Sequence, residues 1–199
     1  MNIFSRVYNK FNRLIYIIKL KKLGLDYRKI YTVGFPEFNI KGKLLLDGIW
    51  VMVNTFSCST LGINRKCKIT VYPDALLEIK GRISMSNTVI VCTKHISIGA
   101  NCMIGGGVTI VDSDFHSMNP THWNTPKDEE LMKRKDVIIG KNVFIGMNSI
   151  ILKGVTIGDN SILAAGSVLH SDVPSGEVWG GNPAKYISKN KFYKSVSVN

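Results

Sequence analysis

Between Ile139 and Leu169 an aliphatic side chain returns at every sixth position: Ile139, Ile145, Ile151, Ile157, Leu163 and Leu169. Glycine follows it directly at Gly140, Gly146 and Gly158, and four residues on comes a small or β-branched side chain (Val143, Ser149, Val155, Ser161, Ser167). A period of six is neither that of a helix nor the simple alternation of a strand. It suits a chain that turns a corner every six residues and lays short strands on the flat faces of a prism, the aliphatic side chain pointing in. The next position bends where the backbone is crowded, which favours glycine. Three hexads would close one triangular coil, and coils would stack about 4.8 Å apart by strand pairing. One coil cannot bury its own apolar face, so repetition is what makes the arrangement stable. The pattern predicts an all-β protein, a parallel β-helix.

Upstream the same step is weaker. It runs through Ile79, Met85 and Val91, slips by one residue, and resumes at Ile98, Ile104 and Ile110. Gly105, Gly106 and Gly107 strip side chains from part of the wall, as where something lies close to the backbone. Residues 31–60 carry strand-like runs, Lys43–Leu46 and Ile49–Val53, punctuated by Gly34, Pro36, Gly42 and Gly48, and are expected to form irregular capping rungs. After Ile110 the rhythm stops for residues 112–136 and returns in phase at Ile139. That segment reads as a loop thrown from one corner, and such long interruptions of a compact repeat are functional or disordered. Beyond Leu169 the chain leaves the solenoid through Pro174, Gly180 and Gly181, and a short basic helix is expected from Pro183. The domain reading is therefore residues 1–30 as a helix, 31–180 as the β-helix with its loop, and 181–199 as a tail.

From Ile3 to Leu20 the period changes. Apolar residues fall at 3, 4, 7, 8, 11, 14, 15 and 18, with Arg6, Lys10 and Arg13 on the other face. Two readings stand: a helix packed on the end or side of the β-helix, or residues 1–25 lying in the headgroup layer of an anionic membrane. Charge bears on the choice, because residues 1–30 hold eight basic residues and one acid, so +7 of the net +12 lies there. No nucleic-acid-binding motif accompanies it, and nucleic acid is not an expected partner. No apolar run approaches the length that spans a bilayer, and the start does not resemble a signal peptide. Cys58, Cys67, Cys92 and Cys102 are too far apart for a CxxC site. They read as reduced structural thiols in a cytoplasmic protein.

The reactive side chains gather in the interruption. His116 lies where the loop leaves the wall, flanked by Asp112 and Asp114, and can act as a general base near neutral pH. His122, deeper in the loop, and His95 and His170 are weaker candidates. The carboxylate that would orient His116 is left between Asp114, slightly favoured, and Asp128 or Glu129 reaching back from the loop. Trp123 either walls an acceptor or pantetheine channel or pins the loop.

These features together, IGxN hexads, the run TIVDSDFH, a polar loop, more hexads and a closing WGGNPAK, resemble a hexapeptide-repeat acyltransferase. The similarity covers roughly residues 60–187, and is greatest to maltose, galactoside and nodulation-type O-acetyltransferases and relatives acting on cell-surface polysaccharide sugars. The resemblance implies a left-handed coil, against the usual right-handed preference of parallel crossovers. It implies a homotrimer with sites between subunits, acetyl-CoA as donor, a saccharide hydroxyl as acceptor and no metal. His116 falls on the family's catalytic histidine, and the N–H of Met147, after Gly146, on its oxyanion donor. Gly105, Ala165, His170, Ser171 and Lys185 match positions along the CoA channel, with Gly146 beside them. An acceptor-binding asparagine of the family aligns near Asn87, although the local match puts Met85 there. Other readings of the scaffold are a non-catalytic β-helix, an N-acyltransferase of an amino sugar, and a zinc enzyme like the γ-type carbonic anhydrases. The last needs three grouped histidines, and His95, His116 and His122 do not have that spacing.

Overall fold

A six-residue step leaves each strand too short to be stable alone, and the chain answers by pairing every strand with the one three places on. The computed structural model describes residues 3–54 and 65–192, with side chains from Arg13 onward. Cys58 lies outside these residues. The first coil holds β1 (Ile30–Val33), β2 (Glu37–Ile40) and β3 (Lys43–Asp47), and the second β4 (Trp50–Val53), β5 (Lys68–Val71) and β6 (Leu76–Lys80). The third holds β7 (Ile83–Ser86), β8 (Val89–Cys92) and β9 (His95–Ile98), and the fourth β10 (Cys102–Ile104), β11 (Thr109–Val111) and β12 (Val137–Ile139). Strands then shorten to two residues: β13 (Phe144–Ile145), β14 (Ile150–Ile151), β15 (Thr156–Ile157), β16 (Ile162–Leu163) and β17 (Val168–Leu169).

Three parallel faces result. Face A runs β1-β4-β7-β10-β13-β16, face B β2-β5-β8-β11-β14-β17, and face C β3-β6-β9-β12-β15. The hexad aliphatics stack inside them in register. Met85, Ile104, Ile145 and Leu163 form a column on face A; Ile90, Ile110, Ile151 and Leu169 do so on face B; Ile79, Ile98, Ile139 and Ile157 do so on face C. All are almost wholly buried. The small residues four places on are buried too. Their hydroxyls are satisfied by corner carbonyls: Ser149 Oγ donates to Ala164 O at 3.0 Å and Ser161 Oγ to Pro174 O at 2.9 Å.

The corners use two devices. Asn101, Asn142 and Asn160 take left-handed φ values of 59°, 58° and 60°, which asparagine tolerates better than most residues. Their side chains form a ladder from coil to coil, with Asn101 Nδ2 donating to Asn142 Oδ1 and Asn142 Nδ2 to Asn160 Oδ1, both at 2.9 Å. The glycines after the aliphatics are needed for close approach: a Cβ on Gly140 would stand 2.8 Å from the Asp159 nitrogen.

Four expectations need correction. Residues 31–53 are regular, since β1–β4 pair in full register with the next coil. Val91 is not a core position; Ile90 is, because the corner through Ser86, Asn87 and Thr88 is one residue shorter than the later ones. The tail forms no helix from Pro183 to Lys189. Instead β18 (Glu177–Gly181) adds to face A and folds back antiparallel on β19 (Ala184–Lys189). Finally, α1 (Ile3–Lys22) joins the N-terminal end of the core through Tyr16 and Leu20, while Leu14, Ile15 and Ile18 of the predicted stripe are exposed. Tyr16 meets Phe35 with ring centroids 5.2 Å apart.

Candidate active site

The fourth coil is where the interruption departs, at the corner between β11 on face B and β12 on face C. Asp112 anchors the exit: its buried carboxylate accepts from Thr93 N and Thr93 Oγ1, each at 2.7 Å, and from Lys94 N at 2.8 Å. Ser113 bridges to Arg134 and Lys135 N donates to Asp112 O, closing the neck of the loop. Asp114 forms an ion pair with Lys153 from the corresponding corner of the next coil.

Beyond the neck the loop folds on itself. Phe115 adopts φ 64°, a costly conformation for a bulky residue of the kind that clusters at functional sites. His116 Nδ1 lies 2.7 Å from Asp128 Oδ2, and Asp128 Oδ1 accepts from Ser117 N at 2.7 Å. Asp128 sits in the first turn of α2 (Pro126–Glu130), and its side chain is 13% exposed while that of His116 is 69% exposed. The His116 hydrogen bond, with that from Ser117 N–H, holds the Asp128 carboxyl below the usual carboxylate range. The carboxylate against His116 is thus Asp128, and Asp114, the favoured candidate, is engaged elsewhere. Glu129 pairs with Arg134. The indole of Trp123 donates to Ser117 O at 2.8 Å, so this residue pins the loop while staying half exposed. His122 faces Ser117 Oγ and Asn119.

The corner between faces A and B carries the second group of candidates. Gly105, Gly146, Ala164 and Gly180 stack there in successive coils, with Ala165 one residue on: a Cβ on Gly105 would stand 2.7 Å from Met147 N, one on Gly146 2.4 Å from Ala165 N, and one on Gly180 2.8 Å from Ala164 Cβ. Lys185 pairs with Gly180 across the terminal hairpin and extends the line. At about 4.8 Å per coil the track from Gly105 to Lys185 is roughly 19 Å long. Among the described residues nothing accepts the Met147 N–H. Beside the track, Val51, Val53, Met103 and Phe144 line a shallow groove of about 200 Å³ on face A. His170 and Ser171 follow β17 at the other corner, in line with the loop exit, and apart from the track.

The acceptor candidates fare differently. Met85 and Asn87 are both buried, at 2% and 0% exposure. Asn87 turns its short corner at φ 50° and donates its amide to Arg65 O, while Arg65 Nε donates to Asn87 O at 2.6 Å and Arg65 Nη2 to Gly107 O and to Val108 O, the latter at 3.0 Å. The Arg65 strap escaped the sequence reading because nothing in a lone arginine marks three carbonyls converging on it. Cys67, Cys92 and Cys102 are free and buried, which raises their thiols to about 11, 12 and 11. Among the described residues no group of three or more His, Cys, Asp or Glu is placed to hold a metal ion. His95 instead sits between Asp136 and Glu78, 3.2 Å from each.

The hexapeptide repeat of succinyl-transferase matches residues 95–111 and 136–171. Galactoside O-acetyltransferase of Escherichia coli (strain K12) is 35% identical over 118 residues, 56% of this chain and 56% of that protein. The putative lipopolysaccharide biosynthesis O-acetyl transferase WbbJ of the same strain is 32% identical over 100 residues, 48% and 51% of the two chains. A solved galactoside acetyltransferase in complex with coenzyme A superposes with a TM-score of 0.50 at 25% identity, covering 79% of this chain and 71% of that one. The stacked coils and the matched repeat show a parallel β-helix whose rungs follow a six-residue repeat. Its resemblance to the hexapeptide-repeat acyltransferases, carried by the hexads and the run into His116, holds for both the family and the relatives. The matched stretch spans about half the length of these curated relatives.

Proposed function

We propose that the protein transfers the acetyl group of acetyl-CoA directly to a hydroxyl of a sugar or cell-surface polysaccharide intermediate, working in the cytoplasm as a homotrimer of left-handed coils. The observation that carries this is the His116–Asp128 pair on the loop. With Nδ1–H donated to the carboxylate, Nε2 keeps its lone pair, and no described group engages it. Nε2 takes the acceptor hydroxyl proton as that oxygen bonds to the thioester carbonyl carbon. The tetrahedral oxyanion then collapses, the carbon–sulfur bond breaks, and the imidazolium returns the proton to the CoA thiolate. The Met147 N–H supplies a preorganised donor for the oxyanion.

The donor fits the track between faces A and B. Along it Gly105 and Gly146 let the coils approach closely beside Ala165, no described group accepts the Met147 N–H, and Lys185 at the far end suits a phosphate. His170 and Ser171 would meet the nucleotide from the opposite corner. The separation of the two catalytic groups supports an assembly of more than one copy. His116 leaves from the corner between faces B and C, whereas Met147 turns the corner between A and B. The hydrogen bonds and ion pairs of residues 115–133 stay within the loop, and only its neck is tied to the wall, through Thr93, Lys94, His95, Lys153 and Gly154. A second copy would bring the base of one chain to the donor track of another. Saccharide acceptors are favoured by the names of the relatives, and the loop around His116, with Phe115 and Trp123 partly exposed, is where they would be chosen.

The test is thiol release from acetyl-CoA over a panel of mono- and oligosaccharide acceptors. His116→Ala should abolish transfer while acetyl-CoA still raises its Tm. Wild-type turnover in that variant would overturn the mechanism.

A further inference from the structure

We infer that the face of α1 carrying Leu14, Ile15 and Ile18 docks in the plane of an anionic membrane surface. The helix has two apolar faces, and the prism uses only one. Tyr16 and Leu20 are 8% and 1% exposed, while Leu14, Ile15 and Ile18 stand 56%, 38% and 47% exposed. At about 100° per residue, the second set lies on the side of the helix opposite the first. Closing the end of the stack therefore leaves an ordered apolar stripe in water.

The surrounding charge says what covers it. All 20 residues of α1 lack an acid, and its last turn holds Lys19, Lys21 and Lys22. On the same helical geometry Lys19 and Lys21 flank the stripe on either edge, and Lys22 continues it one turn past Ile18. Lys21 also lies 5.5 Å over the Tyr27 ring, which holds its ammonium at the stripe's margin. Aliphatic side chains between lysines suit an interface where the apolar face enters the acyl boundary and the ammonium groups reach lipid phosphates. A second copy would bring the same acid-free helix against its like, and the lysines would repel. No helix among the described residues is long and apolar enough to cross a membrane, so α1 would lie along the surface. The docking does not rest on the transferase reading. Where both hold, the acceptor is met at the lipid surface.

Full-length protein is sedimented with vesicles of phosphatidylcholine alone and with one third phosphatidylglycerol. Binding is expected with the anionic vesicles only, and it should fall with added salt. The variant Leu14→Ser/Ile15→Ser/Ile18→Ser should lose at least about tenfold in partitioning. Replacing Lys19, Lys21 and Lys22 with Gln should cost roughly fivefold per lysine. Because the three apolar side chains are exposed, the serine variant should keep the wild-type Tm and its thiol release with a soluble acceptor. Loss of that activity alone in both proteins would bear on the transferase reading and leave the docking intact. Wild-type protein remaining in the supernatant, or variants pelleting like wild type, would overturn the inference. So would a fall in oligomeric mass on replacing the stripe, which would mean that a second copy covers it.

Discussion

Asp128→Asn isolates the pairing that only the folded loop reveals. The carboxylate has two tasks, accepting from His116 Nδ1 and from Ser117 N, each at 2.7 Å. An asparagine can keep only one of them with its oxygen. If the oxygen stays on Ser117 N–H, the amide NH2 faces Nδ1, the imidazole proton moves to Nε2, and the base is lost. If the amide flips, Nε2 recovers its lone pair, but two N–H donors now face each other at Ser117. Leaving one hydrogen bond unmade in that way disfavours the productive state roughly ten- to hundredfold. Loss of the negative charge beside the developing imidazolium adds to this, and the analogous change in the serine-protease triad lowers kcat about 10⁴-fold. We therefore expect kcat to fall about 10³-fold, with the KM for acetyl-CoA near wild type because the donor track lies at another corner. Asp114→Asn, which loosens the partly buried Lys153 ion pair at the neck without touching His116, should cost less than about tenfold in kcat. Steady-state thiol release at saturating acetyl-CoA gives both numbers. An Asp128→Asn enzyme within tenfold of wild type, or a ranking with Asp114→Asn the more damaging, would refute the assignment.

Mixing inactive His116→Ala and Met147→Pro chains during refolding should restore activity. In a closed ring with random mixing, about a quarter of the sites pair an intact histidine with an intact turn; no recovery would place both groups in one chain. Gly146→Ala puts a Cβ 2.4 Å from the backbone nitrogen of Ala165. That overpacking should cost about 1–3 kcal/mol and lower Tm by roughly 3–10 °C in a chain of this size, read by calorimetry. Acid should destabilise the wall through Glu78 and Asp136, whose carboxyls are lowered chiefly by hydrogen bonds from His95 and from Lys94 respectively. Their contribution is present above the unfolded carboxylate pKa of about 4 and is lost as pH falls through the depressed folded values. Urea midpoints should thus drop below about pH 4, and Asp136→Asn should flatten that drop.

The hexads were enough to read the architecture. A side chain that must point inward every sixth residue has one consistent solution, and the columns Ile98–Ile139–Ile157 and Ile104–Ile145–Leu163 are what that spacing produces. The interruption after Val111 and the position of His116 at its root were legible for the same reason, since a strict period makes its own break visible. Register was less secure where the period was weak. Val91 and Ile90 are chemically equivalent, and only the short corner at Asn87 decides which one faces in.

Local pattern failed where distant residues compete for a group. Asp114 is nearer to His116 in sequence, but Lys153, from the next coil, claims it, and Asp128 is brought in by the turn into α2. Asn87 is drawn into the wall by Arg65, and residues 184–189 become a strand because face A offers β18 an open edge at β16 and β18 then offers one to them. Period alone determined the coil, the columns of its regular rungs and the place of the loop that carries His116, because those depend on spacing along the chain. The tertiary structure decided the partner of that histidine and which face of α1 is covered. Both are settled by groups far apart in sequence that meet only once the coils are stacked.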